Sequence, residues 1–301
     1  MIKLKFTVLL ASLLLFSHRH LKCQMLITKN YAIDLAGDTT RAYTFLDQSY
    51  FMAEMGRGFG SEEEVLAWNI KFGGGVEFYK WPKASLGFTV LNELIANPHN
   101  ELGFNPRSVF WNETLYFQRS LRNLTFEIGV THRCRHNVDN NEPANRKIER
   151  TQPYIPESRI MVFNSFHGSV YSHEIGETIR HRFWSRLDYY IYTEDFRKPN
   201  NELSPDFETM GASLFLGHRF QFETKNILFF GRNWINPVLF RESEMLRSNF
   251  RFELGAQLKG VKAHAGIFIA YEKYFDTLTG VEPLRSGVIF VGIRGNSSNV
   301  F

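Results

Sequence analysis

The chain has 301 residues, 44% of them hydrophobic, 15% aromatic and 22% charged, with 29 Phe and a formal net charge of +4. Four of the 35 basic residues, Lys3, Lys5, Arg19 and Lys22, fall among the first 23 positions, which hold no acid, so 31 basic residues face 31 acidic ones in the remainder. That balance excludes a nucleic-acid partner argued from basicity, and no apolar run approaches the ~18 residues of a membrane-spanning helix.

The opening "MIKLKFTVLLASLLLFSHRHLKCQ" sets two lysines before an apolar run, Phe6 to Phe16, and a short polar stretch. This order predicts a secretory signal peptide over residues 1–23, followed by an N-terminal segment over 24–40. A lipoprotein reading of Cys23 meets Lys22 where a small residue is wanted. With Cys23 at the cut, Cys134 has no cysteine partner, so an internal disulfide is not expected.

From residue 41 to 301 the dominant signal is alternation with period two. Runs near 41–55, 63–79, 84–94, 108–119, 123–136, 157–173, 179–193, 208–223, 226–240, 246–259, 261–274 and 285–294 each place apolar side chains on one face. In "LRSNFRFELGAQLKG", Leu246, Phe250, Phe252, Leu254, Ala256 and Leu258 oppose Arg247, Asn249, Arg251, Glu253, Gln257 and Lys259. Strand side chains alternate sides, so each run is a strand with one apolar and one charged face. Soluble sandwiches use strands of ~5–6 residues, whereas a membrane barrel needs ~9–11 or more. The fold expected is all-β: a closed antiparallel transmembrane barrel of about twelve strands. Tight links at 223–226 and 259–261 alternate with longer polar ones at 137–156, 194–207 and 275–284, as in bacterial barrels. Trp68, Tyr79, Trp81, Trp111, Tyr116, Trp184, Tyr189, Tyr190, Tyr192, Trp234, Tyr271 and Tyr274 stand near strand ends, where aromatic girdles are expected. The glycines of "FGGGVEF" (72–78) lack the strand, loop and helix context of a nucleotide site and mark a bend or bulge instead; no cofactor is expected.

The signal, the hairpin repeat and the terminal Phe301 resemble a Gram-negative outer-membrane β-barrel protein. The resemblance implies outer-membrane localisation, contact with outer-membrane lipids or lipopolysaccharide, and recognition of the last aromatic by the barrel-assembly machinery.

One stretch carries chemistry. In "LTFEIGVTHRCRHNVDN" the face of Leu124, Phe126, Ile128 and Val130 continues through His132, Cys134 and His136, while Arg133 and Arg135 take the lumen side. His132 and Cys134 lie ~6.6 Å apart along a strand, and an imidazole beside a thiol is a base with its nucleophile. The pair resembles the His-x-Ser site of outer-membrane phospholipase A and of lipid A 3-O-deacylases, with cysteine in the serine's place. That resemblance implies His132 as base, Cys134 as nucleophile and an orienting residue on a neighbouring strand. Asn164 is the candidate, although a symmetric hairpin is expected to place it about five residues deeper. Metal chelation by His132 and Cys134, with His167 or His173 as a further ligand, competes. It cannot include His136, which is ~13 Å from His132 along a strand. Without catalysis, Arg133, Arg135, Arg146, Lys147 and Arg150 fit headgroup phosphates at the rim. Three functions stay open: a structural or lipid-contacting barrel, a lipid-acting acyl hydrolase and a small-solute channel.

Overall fold

A computed structural model of the chain describes residues 26–28, 32–34, 44–60, 68–81, 83–97, 105–137, 159–197, 202–203, 209–243, 245–274 and 287–297. The expected signal peptide, Arg146, Lys147, Arg150 and Phe301 lie outside the described residues.

The alternating runs form twelve long strands: β1 Thr44–Phe59, β2 Trp68–Trp81, β3 Ala84–Asn97, β4 Asn105–Leu121, β5 Leu124–Asn137, β6 Arg159–Ser172, β7 Ile179–Arg197, β8 Met210–Glu223, β9 Ile227–Phe240, β10 Leu246–Lys259, β11 Ala263–Lys273 and β12 Val288–Ser297. Each is antiparallel to its neighbour in sequence, and β12 pairs with β1 from Ile289↔Phe59 to Asn296↔Met52. The sheet is therefore closed. Links at one end are short (82–83, 122–123, 173–178, 224–226, 260–262), and those at the other include 60–67, 138–158 and 274–287. The two-residue turns need left-handed backbone, which Lys83 (φ 67°) and Arg122 (φ 46°) supply.

The two faces of each strand separate as their chemistry requires. On β5, Ile128 is 64% exposed and neighbouring Glu127 only 1%. Phe126, Val130, Leu187, Phe252, Leu254, Ile267 and Ile293 are likewise exposed, each on an outward position. A largely apolar exterior on a closed sheet belongs in lipid, because closure leaves no strand edge to be solvated. The chain is an outer-membrane β-barrel.

Its lumen is packed with side chains. Arg294 of β12 donates to Glu54 of β1 at 2.8 Å and to Glu253 of β10 at 2.6 Å. Lys71 of β2 donates to Glu272 of β11 at 3.1 Å. Buried charges persist only when paired in this way. Apolar groups fill other levels, with Ile95, Phe110, Met161, Phe163 and Phe240 in one cluster and Trp184, Phe215, Phe230, Phe268 and Phe290 in another. This corrects the girdle expectation for five aromatics: Tyr116, Trp184, Tyr190, Trp234 and Tyr274 are buried inside. A twelve-strand interior is wide enough to demand large side chains, so an aromatic near a strand end serves either face. The "FGGGVEF" glycines have a related use, since a side chain at Gly75 would collide with the ring of Tyr50.

Candidate functional site on the outer wall

The phase read from β5 holds. His132 and His136 are half-exposed on the outer face and Cys134 shares that face, while Thr131, Arg133 and Arg135 point inward and are buried. Register supplies the neighbours. His132 stands directly across from Glu113 on β4 and from Asn164 on β6; Cys134 stands across from Trp111 and Val162. The expectation that Asn164 lies deeper is thus corrected. β6 begins at Arg159, later than the alternation suggests, and pairs His136 with Ile160, which levels His132 with Asn164.

The side chains meet. His132 Nδ1 lies 2.7 Å from Asn164 Oδ1. An amide oxygen only accepts, so Nδ1 carries the proton and Nε2 is left as the basic nitrogen. Cys134 is 6% exposed, flanked by Trp111, whose indole packs edge-on against His136 at 4.9 Å between ring centres.

The inner side of the same wall holds these strands in register. Ser165, next to Asn164, donates to Asp188 of β7 at 2.8 Å. Asp188 also accepts from Arg186 Nε at 2.8 Å, and Arg133 donates to the Tyr190 hydroxyl at 3.2 Å. Arg135 donates to the Met161 sulfur at 2.8 Å. Arg133 and Arg135 are therefore committed to the lumen, and their expected contact with headgroup phosphates is corrected: an inward guanidinium cannot reach lipid outside the wall.

His167 and His173 also face inward. His167 Nε2 lies 3.0 Å from Glu127 and His173 Nε2 lies 3.4 Å from Ser120. Neither can join a metal site with the outward His132 and Cys134, which removes the further ligands expected for that reading.

Two residues of the site escape sequence reasoning. Glu113 is one, placed beside His132 by register alone. Tyr192 is the other. Between β6 and β7 the pairing slips, from Ser165↔Tyr190 to Asn164↔Tyr192, leaving Ile191 as an extra residue. This bulge lets both Ile191 and Tyr192 face outward, so Tyr192 stands next to Asn164 instead of entering the lumen. The outer wall thus carries an unbroken polar row, Glu113, His132, Asn164 and Tyr192, across four strands amid apolar neighbours.

No family model matches the chain, and no curated protein does. Solved structures share its barrel. LpxR from Salmonella typhimurium is 8% identical, with a TM-score of 0.43, over 83% of this chain and 99% of that one. Outer membrane phospholipase A from Escherichia coli is 10% identical, with a TM-score of 0.44, over 84% and 98%. The toluene transporter TodX from Pseudomonas putida is 9% identical, with a TM-score of 0.39, over 84% and 90%. Likeness at this level extends to barrel form and says nothing of chemistry.

Proposed function

We propose that the protein is a lipid-acting acyl hydrolase whose site lies on the outside of its barrel wall. The observation that carries this reading is the hydrogen bond from His132 Nδ1 to Asn164 Oδ1, made on the lipid-facing side with Cys134 two residues along the same face. Asn164 fixes the tautomer and orientation of His132, and Nε2 takes the thiol proton as Cys134 attacks an ester carbonyl. The carbonyl electrons move onto oxygen and return to expel the alcohol, which receives the proton from His132. A thioester remains on Cys134. Water, deprotonated by His132, attacks that thioester, releases the fatty acid and restores the thiol.

The substrate class follows from place. A site opening sideways into the apolar belt meets acyl chains and ester linkages of phospholipid or lipopolysaccharide, the outer-membrane lipids this exterior contacts. Headgroup contacts from Arg146, Lys147 and Arg150 belong to the same reading. The small-solute channel is disfavoured by the filled lumen.

The experiment is release of fatty acid from phospholipid or lipopolysaccharide in mixed micelles. Folded wild-type protein releases it, and His132→Ala and Cys134→Ala each abolish release. Wild-type protein that releases none overturns the reading, leaving a lipid-contacting barrel without catalysis.

A further inference from the structure

At the short-turn end of the barrel the bases fall into two groups. On β7, β8 and β10 they are answered by carboxylates: Arg180 donates to Glu174 at 3.0 Å, Arg219 to Glu174 at 3.1 Å, and Lys259 pairs with Glu223. On the β2–β5 side, Lys83, Arg119 and Arg122 are exposed, and none meets a carboxylate among the described residues. The acids of these strands at that level, Glu77 and Glu127, face the lumen and are buried.

Register brings the three bases together. Arg119 stands outward on β4, directly across from Ala84 of β3 and Phe126 of β5, and Ala84 pairs in turn with Trp81 of β2. Lys83 precedes Ala84, and its carbonyl accepts from the Ser120 N–H at 2.7 Å, which sets it beside Arg119 at the tip of the β2–β3 turn. Arg122 opens the β4–β5 turn three residues beyond Arg119, ~10 Å along the chain, a gap that two long side chains span. Around them the wall is apolar: the Trp81 and Phe117 rings lie 6.4 Å apart, and Leu121 and Phe126 are exposed. Lys83 and Arg122 both hold left-handed backbone, where glycine costs less. Each turn thus keeps a charge at its tip against its backbone preference.

We propose that Lys83, Arg119 and Arg122 bind the phosphate of an anionic phospholipid in the leaflet that meets the short turns. Three cations without an acid among them match a phosphodiester that carries no ammonium of its own. Arg119 decides for lipid over a soluble partner: it points out of the wall between Ala84 and Phe126, below the turn tips, where a bilayer component reaches it. Trp81 stands at the junction of headgroup and chains, as interfacial indoles do, and the acyl chains lie along Phe117 and Phe126. The site is separate from that of His132, since Glu113 is six residues, ~20 Å, further up β4.

The test is native mass spectrometry of the folded barrel titrated in detergent with phosphatidylglycerol or with phosphatidylcholine of the same chains. A Cys134→Ala background keeps the lipid intact whatever the outer site does. One phosphatidylglycerol should bind at least tenfold more tightly than phosphatidylcholine, and glycerol phosphate, the anion without chains, should not displace it. Lys83→Gly and Arg122→Gly, which suit the left-handed turns, and Arg119→Gln should each weaken binding about fivefold. Lys225→Gln, on the β8–β9 turn two residues from Glu223, should leave it unchanged. Equal binding of the two lipids, displacement by glycerol phosphate, full retention in all three variants, or an equal loss in Lys225→Gln overturns the site. If Arg119→Gln fails to fold, the two glycine variants decide. None of these readouts depends on lipid hydrolysis.

Discussion

His132 has one ring nitrogen engaged by Asn164 at 2.7 Å, the bond that orients the imidazole in the proposed mechanism. Replacing Asn164 with Ala removes the acceptor while leaving thiol and imidazole in place. Fatty-acid release should then fall about 100-fold through kcat, with KM little changed, because orientation of the base is lost and lipid contact is not. A steady-state titration with micellar lipid checks this. A variant that raises KM at unchanged kcat would assign Asn164 to substrate binding instead. Sequence reasoning named this partner but set it too deep, for a definite reason. Period two fixes which face His132, Cys134 and Asn164 share, but pairing across the 138–158 link is set by where the ladder ends, and polar loop residues do not mark that end.

At the scale of elements, the twelve strands and their phases were legible because a wall between lipid and a charged lumen imposes strict alternation on every residue. Leu124 to His136 shows this from end to end. What stayed hidden is the bulge in β7. In "YYIYTE" every residue from Tyr189 to Tyr192 suits either face, since aromatics also fill the lumen, as Trp184 and Tyr190 do. The bulge makes a sharp prediction. Deleting Ile191 removes only the unpaired residue and leaves Tyr192 outward beside Asn164, so the barrel should fold and keep its activity. Deleting Leu187, in the regular part of the strand, reverses the phase of the residues beyond it. Either Arg186 or Asp188 would then face lipid, and a misplaced arginine costs about 2–4 kcal/mol at the midplane. Heat-modifiable migration on a gel distinguishes the two. Equal misfolding of both deletions would show that the bulge is not an expendable insertion.

Among the described residues the barrel wall encloses a packed interior, and the proposed chemistry lies on its outside. Arg294 with Glu54 and Glu253, Lys71 with Glu272, and Arg186 with Thr131 cross-link the interior, and the aromatic clusters fill what the charges leave. An aqueous pore would keep inward side chains wet, yet Asp188, Gln118 and Arg182 are at most 1% exposed. Reconstituted in planar bilayers, the protein should therefore show no steady conductance; a persistent open level would contradict the filled lumen. The same filling stiffens the wall beneath the outer site, through Ser165 to Asp188 and Arg133 to Tyr190.

Attack of Cys134 on an ester, with His132 as its base, would show in the first turnover of a chromogenic long-chain ester in detergent. Folded wild-type barrel should release the alcohol, in a burst approaching one equivalent if deacylation is slow, and Cys134→Ala and His132→Ala should release none. Folded wild-type protein that releases no alcohol, or either variant releasing it at the wild-type rate, would contradict it.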